Sequence, residues 1–441
     1  MRKGNLKKWF ACVLGGVTAL SFSSCALFSA KLLAEPKEAA AFDYSERKDE
    51  GYQFLAAKAD DFAAGFASNA YAAYTDDDNF AVAPVSVFMA LSLAAECAGG
   101  NTRAEILSAL GVSYDELKAN LSKLYRALNA EHTTSAVFGD KTTGMIKLTN
   151  SIWVDKGLSV KEVCANSLAE DYYCYPYQVD FANKNTAANN AMEEFVKKQT
   201  KNQLSPDFDF SERTLFALMN TLYLKDVWNV YGDDIAMTSE TYAFKELGDE
   251  TENVHLMKGD YEVGKAYEGE GFTSFYVCTY RGYKIKFILP NEGMTVAQVF
   301  TEENIAATNS VEDYNGVDDV NKIRYYTRCL FPEYEAEYDG DVAGVLREKF
   351  GISDLFDEEK CDFSALTDSP AYCEGVKHVT ELEVNRKGIE GSSVTVIPGA
   401  GKAGPDEYEE VYLDFLVDRA FGFVLTDRYD VTLFSGVVGK V

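Results

Sequence analysis

The sequence predicts an α+β fold, on three observations. Helical periodicity fills the stretch from residue 51 to about 110, strand-length runs rich in Tyr, Phe and Val follow from residue 140, and two helical stretches interrupt those runs. "GYQFLAAKADDFAAGFASNAYAAY" (51–74) has apolar residues at helical spacing and breaks at "TDDDN". "APVSVFMALSLAAECAGG" (83–100) reads as a second helix, with Pro84 near its start and a Gly pair at its end. "NTRAEILSAL" opens a third, with Thr102 as its expected cap and Glu105 three residues on. Beyond residue 140, "MIKLTNSIWVD", "LFALMNTLYLKDVW", "FTSFYVCTYRGYKIKFILP" and "VYLDFLVDRAFGFVLTDRYDVTLFSGVV" are strands, the last long enough for several. "AANNAMEEFVKKQTKNQ" and "VAGVLREKFGI" are helical.

With 441 residues, 47% of them hydrophobic, the chain can bury a large core. Its formal charge of −28 argues against nucleic acid, heparin-like polyanions and anionic membrane as partners. The N-terminus reads as a targeting segment: "MRKGNLKKW" is basic, "FACVLGGVTALSF" is apolar, and "SSC" ends it at Cys25. A Cys there resembles a bacterial lipobox, with Phe22 where Leu is usual. Residues 1–25 are therefore expected to be a signal peptide of lipoprotein type and 26–50 a tether. The protein would be secreted or held at the cell surface by a lipid on Cys25, with plain secretion as the alternative. Seven Cys remain after Cys12 and Cys25, and their odd number and irregular spacing do not make a disulfide framework; buried free thiols are expected.

Catalytic chemistry has no footing in the sequence. His132 ("NAEHTTS") reads as a loop residue, and His255 and His378 lie in strand-like runs without ligands at metal spacing. No GxSxG elbow frames a Ser, and neither a P-loop nor a dinucleotide fingerprint is present. No enzyme, cofactor or metal is expected.

One stretch stands apart. "KGIEGSSVTVIPGAGKAG" (387–404) carries no charge from Gly391 to Gly401 in a chain that is 25% charged. It is too rich in Gly for a helix, and Val394, Val396 and Ile397 are too apolar for an ordinary solvated loop.

Seven stretches, in order along the chain, resemble the serpin family. "NFAVAPVSVFMALSLAAECAGGNTRAEI" is similar to the family's N-x-x-x-S-P-x-S-I-x-x-A-L…G-x-T through Asn79, Pro84, Ser86, Ala90, Leu91, Gly99 and Thr102. "NSIWVDKGL" and "MNTLYLKDVW" resemble two strand signatures of its central sheet, with Asn150, Asn220, Lys225 and Trp228 in place. "FILPNEG" matches F-x-L-P-x-E-G, "FPEYEAEYD" looks like the L-P-K-F stretch, and "HVTELEVNRKGIEG" keeps the hinge spacing from His378 to Gly388. "FGFVLTDRYDVTLFSGVV" closes like the family's end. The resemblance implies a serpin domain over 51–441, with three β-sheets, about eight to nine helices and an exposed reactive-centre loop at about 388–410. It further implies a monomer that a serine protease cleaves in that loop, is trapped by as a covalent 1:1 acyl-enzyme, and is disabled when the loop inserts as a new strand.

An inserting strand must send alternate side chains into a buried face. On the family's register that set is Ile389, Gly391, Ser393, Thr395, Ile397 and Gly399, all uncharged. The hinge and inserting strand are thus expected at Gly388, Ile389, Glu390, Gly391, Ser392, Ser393, Val394 and Thr395, and a one-residue slip would bury Glu390. Departures from the family pattern are Ile389 for Thr or Ser, Arg386 for Glu, Ala83 for Ser, and Ala420 for Pro. Counting from Gly388 sets the bond at Lys402–Ala403, suited to a trypsin-like protease. Counting back from "LVDRAFGF" gives Glu409, and an elastase-like protease would take Ala400 or Gly401. The alternative to inhibition is a serpin that serves as a binding or carrier protein, or is cut as a plain substrate.

Overall fold

A computed structural model describes residues 29–441 except 77, 137–138, 229–234, 249, 262–265, 312–316, 319, 374 and 390–407. Nine α-helices occupy the described residues: α1 Glu50–Ala73, α2 Pro84–Cys97, α3 Gly100–Leu110, α4 Tyr114–Ala127, α5 Glu162–Asp171, α6 Phe181–Gln199, α7 Val296–Val299, α8 Glu302–Ala307 and α9 Ala343–Phe350. Local chemistry sets their ends. Asp49 caps α1 by accepting the Tyr52 amide at 3.0 Å, and Ser113 with Glu116 forms a capping box on α4. Pro84 opens α2, whose missing amide costs nothing there. Nearly every residue of α2 is buried, as befits a helix apolar on all sides. The third helix starts earlier than its cap pattern predicts. Gly99 is its N-cap, and Thr102 is buried inside it, its hydroxyl accepting the Asp362 amide at 2.9 Å. Glu105 accepts the amides of Ser353 and Asp354, both at 2.8 Å, in place of capping its own helix.

The central sheet has two halves. One is built on β4 (Gly139–Asp155), antiparallel to β6 (Phe216–Val227), from Gly144 opposite Asp226 to Val154 opposite Phe216. β5 (Cys174–Val179) lies parallel to β4, and β3 (Asn129–Ala136) forms a hairpin with it, so His132 sits in a strand and not a loop. The other half pairs β16 (Tyr334–Asp341) antiparallel with β17 (Lys377–Asn385). A second sheet contains β2 (Phe80–Val82), β10 (Tyr267–Glu268), β11 (Phe272–Ser274), β12 (Tyr276–Cys278), β13 (Lys284–Pro290), β20 (Phe421–Thr426) and β21 (Thr432–Val438). It joins the first through the parallel pair Glu337 and Phe80, and a bridge between Trp228 and Thr279 also links the end of β6 to the β12–β13 hairpin. The third sheet contains β9 (Met257–Tyr261), β14 (Val317–Asp318), β15 (Ile323–Phe331) and β19 (Glu409–Leu416), and β7 (Tyr242–Lys245) with β8 (Thr251–Val254) is a separate ribbon. Residues 29–49, inside the stretch expected as a tether, lie against the domain. Lys31–Leu32, β1, pairs with β5, and the Arg126 guanidinium bonds Glu46. The seven described Cys are free thiols, and five of them are buried.

The core lies between α1, α2 and the inner faces of the first two sheets. Within it sits a charged hub. Glu96, 6% exposed, accepts the hydroxyls of Tyr114, Ser167 and Tyr172 at 2.6, 2.6 and 2.9 Å and meets Lys118 at 3.3 Å, tying α2 to α4 and α5. Burial pushes its carboxyl up, and these donors more than offset that, holding it below its ordinary value. Asp427 is the opposite case. It is 3% exposed at the β20–β21 turn, accepting the amides of Tyr429 and Val431, and burial raises its carboxyl to about 7. A raised carboxyl binds its proton more tightly folded than unfolded, so its favourable contribution is complete below about pH 4 and is lost as pH rises through 7. The urea midpoint should therefore fall between pH 6 and pH 8. The fall should be smaller in Asp427→Asn, which keeps the amide acceptor; an equal fall in both proteins would assign the effect elsewhere.

Candidate functional site: an open slot in the central sheet

β6 and β17 run side by side in the same direction, joined among the described residues only by the two-residue strand β18, Gly388–Ile389. Gly388 stands opposite Val227 and Asn385, and Ile389 opposite Asp226 and Val384, both pairings antiparallel. Below that point the facing edges of β6 and β17 carry no ladder among the described residues. Backbone N–H and C=O groups on a strand edge are strong, obligatory hydrogen-bonding groups, so the slot is a template for a further strand.

The turn that delivers the hinge is fully engaged. The Trp228 indole N–H donates to the Asn385 carbonyl at 2.7 Å, and the Ile235 amide donates to the Arg386 carbonyl at 2.7 Å. Asn385 Oδ1 accepts the Lys387 amide at 2.8 Å. Glu333 accepts the Arg386 amide at 2.8 Å and meets the guanidinium at 3.4 Å. The family pattern has Glu at the position of Arg386 and Lys at that of Glu333, so both charges are exchanged and their attraction is kept. At roughly half exposure such a pair is worth about 0–1 kcal/mol; the amide bond gives Glu333 its larger part. Gly388 has φ +142°, and a Cβ there would lie 2.1 Å from the Asp226 carbonyl oxygen. Only glycine fits. Ile389 is 1% exposed and packs into the main core.

The lower slot lies under α6 and the chain following it. A second cluster, with Trp153, Phe195, Leu204, Phe208 and Ala217 at its centre, covers the outer face, and Met219 and Val379 from the two slot edges pack against it. A cavity of about 30 Å³ remains there, lined in part by Asn220, Thr221, Lys377 and Val379. Three buried polar atoms of β6 have no hydrogen-bond partner among the described residues: Asn220 Oδ1, Thr221 Oγ1 and Asp226 Oδ1. On the opposite edge His378 Nε2 accepts the Ala83 amide at 3.0 Å and lies 2.8 Å from the Thr380 hydroxyl. Burial lowers this imidazole to about 4, so it stays neutral at physiological pH.

On the far side of the loop, Glu409 is the first residue of β19. Its amide donates to the Lys322 carbonyl at 2.7 Å, and it pairs with Ile323. β19 then runs parallel to β15 as far as Leu416 opposite Leu330. Matching side chains pin the outward face: Arg324 opposite Glu410, the Tyr326 ring stacked on Tyr412 at 5.1 Å, and Arg328 bonded to Asp414 at 2.7 Å. Of the stretch expected as the loop, about 388–410, Glu409 and Glu410 are therefore strand residues. Of the remaining sequence-predicted positions, Cys25, Glu390, Gly391, Ser392, Ser393, Val394, Thr395, Ala400, Gly401, Lys402 and Ala403 lie outside the described residues. No group of three or more His, Cys, Asp or Glu among the described residues is placed to hold a metal. The sequence places Asn220 and Trp228 in a strand signature and gives no role to Asp226 or Glu333. The signal for Asp226 was a charge inside the apolar run "LYLKDVW".

Replacing Gly388 by Ala should expel β18, because the new methyl group meets the β6 backbone. Amide exchange at 226–227 and 384–389 should accelerate while the rest of the sheet stays protected; unchanged protection there would refute the close approach.

A family model described as "Serpin (serine protease inhibitor)" matches residues 57–441. Neuroserpin of Homo sapiens is 24% identical over 377 residues, covering 82% of this chain and 86% of that protein. Iripin-2 of Ixodes ricinus is also 24% identical, covering 83% and 88%. Among solved structures, Tengpin, a thermophilic serpin in its native state, superposes with a TM-score of 0.75 at 19% identity over 94% of this chain and all of that one. Thyroxine-binding globulin in complex with thyroxine gives 0.70 at 21% identity, covering 88% and 99%. A slotted central sheet with its hinge at the head of the slot, in a chain the family model matches from residue 57 to its last residue, places this protein in the serpin family.

Proposed function

We propose that this serpin inhibits a trypsin-like or elastase-like serine protease by offering the 388–410 loop as bait and inserting it into the slot once cut. The carrying observation is the register of β18. Continued downward, it sets Gly391, Ser393, Thr395 and Ile397 opposite Leu224, Leu222, Asn220 and Leu218 of β6. The first three of these would face Leu382, Thr380 and His378 of β17. No charge enters the buried face. Thr395 would arrive between the neutral His378 and the unpartnered Asn220 Oδ1, to which its hydroxyl can donate.

The outward positions explain the odd composition of the loop. Glu390 would stand at the open head of the slot between Lys225 and Glu383. Val394 and Val396 would fall beside Thr221, Met219 and Val379, beneath the α6 cluster, where apolar side chains belong. For the scissile bond we favour Lys402–Ala403, because Glu409 is held in a ladder and Lys402 leaves a full strand length above it. The partner would be the protease in a covalent 1:1 complex with a monomer. The N-terminal segment would export the chain and fix it at the surface through Cys25. A second reading, a binding or substrate serpin, is favoured by one observation: the bulky Ile389 already fills the head of the slot.

Mixing the protein with trypsin and with elastase separates the two. Inhibition gives a band at the summed mass that survives boiling, and a cleaved form that melts well above the intact one. Thr395→Arg should be cut as fast but leave no complex and gain no stability, since it carries a charge into the buried face. Clean cleavage of the native protein with no complex and no rise in melting temperature would favour the second reading.

A further inference from the structure

We propose that the charge on Asp226 controls the docking of the hinge strand: β18 stays in the sheet while this carboxyl is neutral and leaves it when the carboxyl ionises. Asp226 is 1% exposed and is the register partner of Ile389, so the two side chains share the inner face at the head of the slot. Its Oδ2 accepts the Arg281 amide at 2.8 Å, and the Thr279 hydroxyl also bonds the carboxyl. Oδ1 has no hydrogen-bond partner among the described residues; it lies over Gly144 of β4, where a Cβ would be 2.6 Å away. An ionised carboxylate with one oxygen undonated is costly to bury, and the cost is relieved only by water or a donor.

None of the charged and titratable groups around it hydrogen-bonds Oδ1 among the described residues, although the Val227 amide and the Arg281 charge favour the ionised form. From the turn between β12 and β13 come Arg281, whose guanidinium lies over the Tyr280 ring at 5.0 Å, and the buried Tyr283. From β6 itself comes Lys225, which as the adjacent strand residue projects to the opposite face. From β17 comes Glu383, which accepts the Asn385 side-chain amide, and from the hinge turn come Arg386, paired with Glu333, and Lys387. β4 presents glycine.

β18 is the cheapest cover to remove. It is two residues long, and Ile389 is its only side chain. With β18 undocked, the Asp226 side chain loses its cover on the side away from β4, and the carboxyl can turn from Gly144 toward water. Burial raises the docked carboxyl to about 6. The sign follows: the docked form binds the proton more tightly, so docking is complete in acid and is lost as pH rises through 6. If the undocked carboxyl returns to about 4, the docking equilibrium falls about tenfold between pH 5 and pH 7. The hinge would then be held back in acid and freed near neutrality.

Hydrogen exchange of the amides at 384–389, corrected for intrinsic rates, reads docking without any protease, so it stands apart from whether the protein inhibits one. In the full-length protein we expect hinge protection to fall about tenfold from pH 5 to pH 7, while protection across β4 and β16 holds. Asp226→Asn, and Asp226→Ser as a second uncharged variant, should keep the hinge protected throughout. A wild-type hinge whose protection does not change with pH overturns the proposal even if neither variant folds. An equal loss of protection in wild type and a folded variant also overturns it.

Discussion

The rest of this structure depends on two strand edges that face each other without bonding. β6 and β17 each carry a row of backbone donors and acceptors toward the slot, and among the described residues only Gly388 and Ile389 bond both. Proteins normally cover such edges or blunt them, because an open edge invites any extended chain. Here the head is closed by a single turn of hydrogen bonds around residues 385–387, and the lower part lies beneath α6. The sheet is therefore complete except for one strand, and the chain carries a candidate for that strand immediately after the head.

That arrangement moves the demands on sequence away from the usual ones. A loop has no reason to alternate, and a resident strand no reason to avoid large side chains on a packed face. Under the proposed insertion, the segment after Gly388 must be compatible with both states, which would account for Gly, Ser and Thr on its inward positions. The exchanged pair Arg386 and Glu333 shows the same logic at the head. The identity of each charge is free, whereas their opposition and the bond to the Arg386 amide are constrained by geometry.

Much of this was legible in the sequence, for identifiable reasons. The helices announced themselves by period, "APVSVFMALSLAAEC" by its apolar content, and the hinge by the spacing from His378 to Gly388. What escaped depended on contacts distant in sequence. Thr102 has the look of a cap, yet it serves a loop 260 residues away. Glu333 gains its meaning only from Arg386, 53 residues on. The length of the loop was ambiguous because strand β19 is stabilised by cross-strand pairs with β15, and a residue count cannot see such pairs. Among 70 Asp and Glu, Asp226 was marked in the sequence by its place in "LYLKDVW" alone; its burial with an undonated oxygen shows only in the structure.

Magnitudes show where the balance between open and filled slot is decided. Each ladder bond gained on insertion contributes roughly 1 kcal/mol net, while ordering each residue costs about 1–2 kcal/mol in backbone entropy. The backbone alone therefore comes close to cancelling, and the side chains tip the result. Fully burying an aliphatic side chain stabilises by about 1.5–3 kcal/mol, so Val394, Val396 and Ile397 matter more than the bonds between which they would sit. Ile389 has already made that gain in the resting state, being 1% exposed. Its burial cannot drive insertion a second time; it can only hold the first step in place. Under the proposed insertion the driving force would reside further along the segment, and the head of the slot would act as a latch whose strength is set by Ile389, the Arg386 turn and the buried carboxyl of Asp226.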